Sequence, residues 1–549
     1  MLGFHRRTRS LIPVKDLAKY DKVSVVEEEE ELLTGDDVYA QGIPGTSSPV
    51  RTRQLMLVYL VFLAEAYVHL SSRNDADQGE LTWHSSILAS GLQPQLQMLL
   101  SSSDFCGDLS TSYLGSILDC AYAFGGTTGV FWGYLADRMG RRRVSLMGLW
   151  TMLLCCLAAG FATTLASCAI LRFLAGMASS TVICTSLTMI GDLSTSADQR
   201  ARNVARLPFI SLCGSLGPLV QGMVTESLQA YGMVWERFPT LGSELVCGTI
   251  LLAIALTASF LLQETLPTES DMSKESTDVD CEKAAFLTRN SEDTLATLVD
   301  FARPEPISIA NFLQAPSLMV LVSSFCLLSL HAATFDVLLP HLGHNNTEHG
   351  GMGIPCGWLE MVVLAVRGMA GIAIWVGIPS VTETFGLLQV YRSVSLLCPA
   401  LYTVTPVLGL LVAWTGTAPV IAVLSILSKH VLAGSASVLV ALLVLNTTPD
   451  AYSAGTVVGM MQIASLFKAF AVAVSGTAYF LSSDMSMQST NLGLWTCLSL
   501  LGVAGAALAW FVNERPSVAK DYPSEVLCWE MCFDADAEKQ MRVESEDDA

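Results

Sequence analysis

The chain has 549 residues, of which 52% are hydrophobic and only 15% charged, and its formal net charge is −20. Soluble domains carry about 25% charged residues, so this composition excludes an ordinary water-soluble globular protein and, with a mean hydropathy of +0.49, points to surface facing lipid. The acids gather in runs such as 27–31 and 544–548, a pattern of solvated tails that excludes a nucleic-acid binder.

Residues 1–53 are polar and acidic, lack a cleavable leader pattern, and read as a cytosolic tail. Within them, Glu28 to Glu31 followed by Leu32 and Leu33 resembles an acidic dileucine sorting signal. That signal is a pointer to a vacuolar or endosomal address, and the plasma membrane stays open as the other. A bilayer core about 30 Å thick requires about 20 apolar residues per helix. Six candidate spans follow at 54–70, 114–135, 144–165, 169–190, 204–224 and 245–262. After a polar stretch come six more, at 318–339, 358–378, 394–414, 419–445, 457–481 and 492–512. Helices must form them, because lipid offers no other partner to open backbone groups. The expected fold is therefore an all-α membrane protein of 12 transmembrane helices in two six-helix bundles. Its expected domains are a tail (1–53), a bundle (54–262), a cytosolic linker (263–316), a second bundle (317–513) and an acidic tail (514–549).

Basic residues set the orientation. Arg51 and Arg53 precede span 1; Arg138 and Arg141 to Arg143 follow span 2; Arg200, Arg202 and Arg206 follow span 4. The opposite loops hold little beyond Arg73 and Arg237. Both termini and the linker are expected in the cytosol. Asn345, in an Asn-Asn-Thr sequon after span 7, is then an outward glycosylation candidate. Span 1 carries an oddity: the polar segment 68–87 interrupts it, and joining Tyr67 directly to Leu88 restores a helix of bilayer length. Either a real loop insertion or a translated intron accounts for it. The 15 cysteines, mostly inside apolar runs, show no metal-ligand spacing and read as buried thiols, with Cys106 and Cys356 the pair that outward loops could join.

The loop after span 2 is the most informative segment. It places Gly133, Asp137, Arg138, Gly140, Arg141 and Arg142 between two apolar runs, with glycines for a tight turn and close helix approach. This Gly-x-x-x-Asp-Arg-x-Gly-Arg-Arg pattern resembles the loop joining helices 2 and 3 of major facilitator superfamily transporters. Further matches resemble the drug-exporter and zinc-induced-facilitator-like branch, which has many fungal members. They are Phe62 to Ala66 in span 1, Leu171 to Gly176 around Arg172 in span 4, Glu264 to Pro267 after span 6, and His331 to Pro340 in span 7. Glu383, Phe385 and Gly386 after span 8 align with Asp137, Met139 and Gly140, a degraded second copy as expected of parallel repeats. In span 5, Gly217, Pro218 and Gly222 keep part of an antiporter motif, while Cys213 and Gln221 replace two of its glycines.

Charges inside a bilayer cost at least about 2.5 kcal/mol each, so each calls for a partner or a function. The resemblance puts Arg172 near the cavity, to tune a proton site or hold an anionic group. Glu65 and Asp119 are carboxylates able to carry a proton, and Asp119 fits a place at the membrane edge equally well. Asp336 and Arg367 complete the candidates; Lys429, His430 and Lys468 also interrupt spans 10 and 11. What the resemblance implies is a monomeric, multi-pass secondary transporter of a small organic molecule, exporting it in exchange for protons by alternating access. Proton-coupled uptake, facilitated diffusion, and a non-transporting sensor on the same fold stay open. The expected partners are a small-molecule substrate, protons and the lipid bilayer. No cofactor and no enzyme activity is expected, because no nucleophile–base set stands on a cytosolic domain.

Overall fold

The computed structural model describes residues 48–71, 111–162, 164–214, 238, 241–266, 316–344, 356–415, 418–448, 453–482 and 487–512. The first half supplies α1 (Ser48–Ser71), α2 (Thr111–Gly126), α3 (Gly129–Met139), α4 (Arg141–Ala159), α5 (Leu165–Leu193), α6 (Ala197–Val204), α7 (Leu207–Gly214) and α8 (Leu241–Leu261). The second half supplies α9 (Pro316–His344), α10 (Cys356–Phe385), α11 (Leu387–Thr415), α12 (Ala418–Thr447), α13 (Ala454–Met461), α14 (Ala464–Ser482) and α15 (Met487–Phe511). Among the described residues there is no strand, and seven helices are long and apolar enough to cross a membrane. The dileucine signal, segment 72–87, Cys106, Gly217, Pro218, Gly222 and Asn345 lie outside the described residues.

Large apolar side chains stand outward, Phe260 at 81% and Phe511 at 71% exposure, as lipid-facing helices require. The opposite faces build a main apolar core that runs through both halves, from Leu55 and Leu149 to Tyr391 and Leu498, beside a small cluster of Leu118, Ala162 and Cys168. The helix starting at Leu165 is set by a capping box: Thr164 Oγ1 accepts the Ser167 N–H and Ser167 Oγ accepts the Thr164 N–H.

Spans 2 and 11 differ from the continuous helices that their hydropathy predicts. Span 2 breaks at Thr127 and Thr128, whose hydroxyls donate to the Phe124 and Gly125 carbonyls and satisfy the end of α2 locally. Span 11 breaks at Gln462 and Ile463, where the N–H groups reach back only three residues, to Gly459 and Met460. The two breaks face each other: a Cβ on Gly126 would lie 2.9 Å from Ser465 Oγ, and one on Gly129 would run into the Gln462 side chain. Thus α3 lies along α13, and α2 along α14. A second contact between the halves joins α7 to α10, where the Phe209 and Trp375 rings stand 5.4 Å apart.

Candidate functional site

The loop after span 2 is built by one backbone angle. Gly140 has φ of 102°, in the region that favours glycine, and this reverses the chain so that α4 starts at Arg141. The start of α4 carries open N–H groups, and the Glu264 carboxylate accepts from Arg141 N at 2.8 Å and from Arg142 N at 3.2 Å. Arg142 returns the contact, donating from Nη2 to the Ser259 carbonyl at 2.7 Å. The end of α8 and the start of α4 therefore hold each other inside the first half. Arg138 is exposed and lies over the Tyr134 ring.

Asp137 does something different. It is 2% exposed and accepts from Gly455 N (2.8 Å), Thr456 N (2.6 Å) and Thr456 Oγ1 (2.7 Å). A carboxylate of the first half thus caps the N-terminus of α13 in the second half, where the helix dipole favours negative charge. Arg141, fully buried, lies 3.9 Å from Asp137 and forms an ion pair with Asp192 at the end of α5. Small residues make this approach possible. A Cβ on Gly133 would run into the Gly455 carbonyl, and one on Gly459 would lie 2.6 Å from the Gly129 carbonyl. Gly129 and Gly133 are four residues apart on α3, as Gly455 and Gly459 are on α13, so two small-residue stripes meet across the halves. Arg200 Nη1 adds a bond to Asn446 Oδ1 at 2.6 Å, and Cys184 Sγ one to the Gly455 carbonyl at 3.3 Å.

Further into the molecule the halves part around a cavity of about 410 Å³, within the range of pockets that hold small organic ligands. Its charged lining is Asp119 from α2, Asp336 from α9, Arg367 from α10, Lys429 from α12 and Lys468 from α14. Asp336 and Lys429 form an ion pair, with the Lys429 ammonium 5.4 Å over the Phe335 ring. His430 Nδ1 faces the Ile426 carbonyl at 2.9 Å, which requires the proton there. Its Nε2 then accepts from Arg367 Nε at 3.4 Å. Behind Asp336, His331 Nδ1 meets Tyr402 OH at 2.8 Å, and Phe335 packs against Tyr402 and Trp495.

Asp119, Asp336 and Arg367 are therefore brought together at the cavity wall, whereas Glu65 and Arg172 stand behind it. Glu65 is buried between α1 and α5 and accepts from Ser179 Oγ at 2.6 Å. Tyr122, itself on the cavity wall, lies in electrostatic reach of both Glu65 and Arg172. Arg172 lies in electrostatic reach of Asp119 and Glu244. Sequence reasoning missed Tyr122 and the pairing of Asp336 with Lys429; for Asp137 it offers an arginine of its own loop or a neighbouring helix end as partner, without saying which helix. Only the spacing of Gly455 and Gly459 was a readable signal.

The family model described as Major Facilitator Superfamily matches residues 82–473. The chain belongs to the major facilitator superfamily. It is 24% identical over 455 residues to the multidrug transporter mfsB of Aspergillus fumigatus, a match over 71% of this chain and 74% of that protein. It is also 24% identical over 295 residues to a probable peptide/nitrate transporter of Arabidopsis thaliana, over 52% of this chain and 58% of that one. Among solved structures, the human organic anion transporter MFSD10 shares the fold with a TM-score of 0.52 at 17% identity, covering 84% of this chain and 99% of that one. The proton:xylose symporter XylE does so with a TM-score of 0.54 at 14% identity, covering 86% and 99%. The 12-helix fold expected from hydropathy fits these neighbours, and the helices of this major facilitator chain are those of a multi-pass membrane transporter.

Proposed function

We propose that this transporter exports a small organic molecule in exchange for protons, by rocking its two halves about the central cavity. The observation that carries the reading is the cavity itself, with ionisable groups on walls from both halves. Three cationic side chains (Arg367, Lys429, Lys468) face two carboxylates (Asp119, Asp336), so the wall favours a cargo with apolar surface and an acidic group. The name of the Aspergillus relative, a multidrug transporter, supports export of a foreign or waste compound.

Arginine-rich loops lie in the cytosol, so the Asp137, Arg200 and Cys184 contacts close the cytosolic side and the chain stands in the outward-facing half of its cycle. Glu65 carries the proton: it is held by Ser179 beside Tyr122, which lines the cavity and relays occupancy. Arg172 and Asp119 tune that group electrostatically. Both termini are cytosolic, the protein works as a monomer, and the bilayer is the plasma or the vacuolar membrane.

The test is flux in proteoliposomes with an imposed pH gradient and a fluorescent organic acid. Export coupled to protons requires dye and protons to move in opposite directions, and Glu65→Gln to abolish the pH dependence while leaving dye exchange. Dye moving with the protons, or a flux indifferent to pH, overturns antiport.

A further inference from the structure

Two helices that are distant in sequence bring three ligand-type side chains together away from the cavity lining. Cys156 lies near the end of α4, and Glu244 and Cys247 near the start of α8. Their two sulfurs and one carboxylate oxygen all lie within 4.8 Å of one another. None of the three lines the central cavity. We infer that Cys156, Glu244 and Cys247 form a resident binding site for a thiophilic divalent cation, Zn²⁺ foremost.

The geometry is close to what zinc needs. Bonds of about 2.3 Å to sulfur and about 2.1 Å to oxygen in a tetrahedron put neighbouring ligand atoms about 3.7 Å apart. The observed set has to contract by no more than about an ångström. The helices are already close enough for this. A Cβ on Gly160 would lie 3.2 Å from Leu241 Cα, and one on Gly248 would lie 2.6 Å from Leu157 Cδ2. Cys156 Sγ already donates to Glu244 Oε2 at 3.0 Å, so the thiol proton occupies the place a cation would take. Both cysteines are buried and free, and Glu244 is half-buried.

The charges also balance. Binding releases two thiol protons and leaves two thiolates, one carboxylate and Zn²⁺, a net charge of −1. Arg172, which is electrostatically coupled to Glu244, offsets it. Three protein ligands leave one position open to water. The ion would pin α4 to α8 at one end, while the bonds of Glu264 and Arg142 pin them at the other.

The test uses the full-length protein, purified with reductant, and Co²⁺ as the probe. One equivalent should produce a thiolate-to-cobalt absorption band in the near ultraviolet that Zn²⁺ displaces. Cys156→Ser and Cys247→Ser should lose the band, and Glu244→Gln should weaken binding by about tenfold or more. Cys155→Ser, the neighbouring buried thiol outside the cluster, should keep it. Folding of each variant is checked by size-exclusion elution. The unmodified protein supplies an independent arm: Zn²⁺ should raise its melting temperature. No band and no melting shift in the unmodified protein, or a band that survives in folded Cys156→Ser, overturns the site.

Discussion

Two glycine turns occupy equivalent places in the two halves, and they have diverged in what they hold. Gly140 and Gly386 both adopt positive φ, 102° and 81°, and each reverses the chain between two helices. After each turn an arginine reaches the end of the last helix of its own half. Arg142 donates to the Ser259 carbonyl of α8, and Arg392 donates to the carbonyls of Trp510 (3.0 Å) and Val512 (2.7 Å) at the end of α15. The turn and the clamp within each half are thus retained in both repeats. The acidic residue before the turn is not: Asp137 is buried against α13 of the other half, whereas Glu383 is exposed. What serves folding within a half is kept twice, and what bridges the halves is kept once. A polar bridge of this kind can open without unfolding either bundle, as alternating access requires.

The largest effect expected is from Arg141→Ala. Removing the buried cation that joins Asp137 to Asp192 takes away the Asp192 ion pair and leaves Asp137 only its α13 bonds, a loss of about 3–5 kcal/mol. It should appear as a clear drop in melting temperature in detergent; an unchanged melt would remove Arg141 from the bridge. Asp137→Asn comes next. It weakens charge-assisted bonds to α13 by about 1.5–3 kcal/mol, which shifts the balance of closed and open states about tenfold to a hundredfold. Folding should hold, turnover in sealed vesicles should fall, and Cys184 should react faster with a thiol reagent because its Gly455 partner moves away. Normal turnover in this variant would refute the bridging role.

Smaller effects separate the two turns from each other. Alanine at Gly140 or Gly386 costs about 1–2 kcal/mol for the left-handed backbone. Gly140→Ala should be the more damaging in a melt, because its Cβ would also lie 2.5 Å from Glu264 Oε2. Glu383→Gln should change stability by no more than about 0.5 kcal/mol, as for other exposed positions. Transport by that variant should be nearly normal. A loss as large as that of Asp137→Asn would mean that the second loop also bridges the halves, and the contrast would fail.

Much of the fold was legible in the chain. Hydropathy placed the helices close to where they stand, since desolvation is a property of each segment on its own. The loop around Asp137 and Gly140 was legible as a motif, and Gly386 as its degraded copy. The helix breaks were not, because Thr127 and Gln462 interrupt ladders without interrupting hydrophobicity. Among the site candidates, Asp119, Asp336 and Arg367 reach the cavity, but Asp336 and Lys429 are 93 residues apart and nothing local pairs them.

By itself, then, the sequence determined that this is a twelve-span membrane chain of two repeated halves with a glycine-turned, arginine-rich loop in the first. Only the tertiary structure decided which carboxylate caps a helix 318 residues away, which glycine stripes meet, and that Cys156 joins Glu244 and Cys247. The physical reason is one of range. Burial in lipid and backbone turns are set by neighbours along the chain, while ion pairs, helix caps and ligand sets depend on which helix faces which.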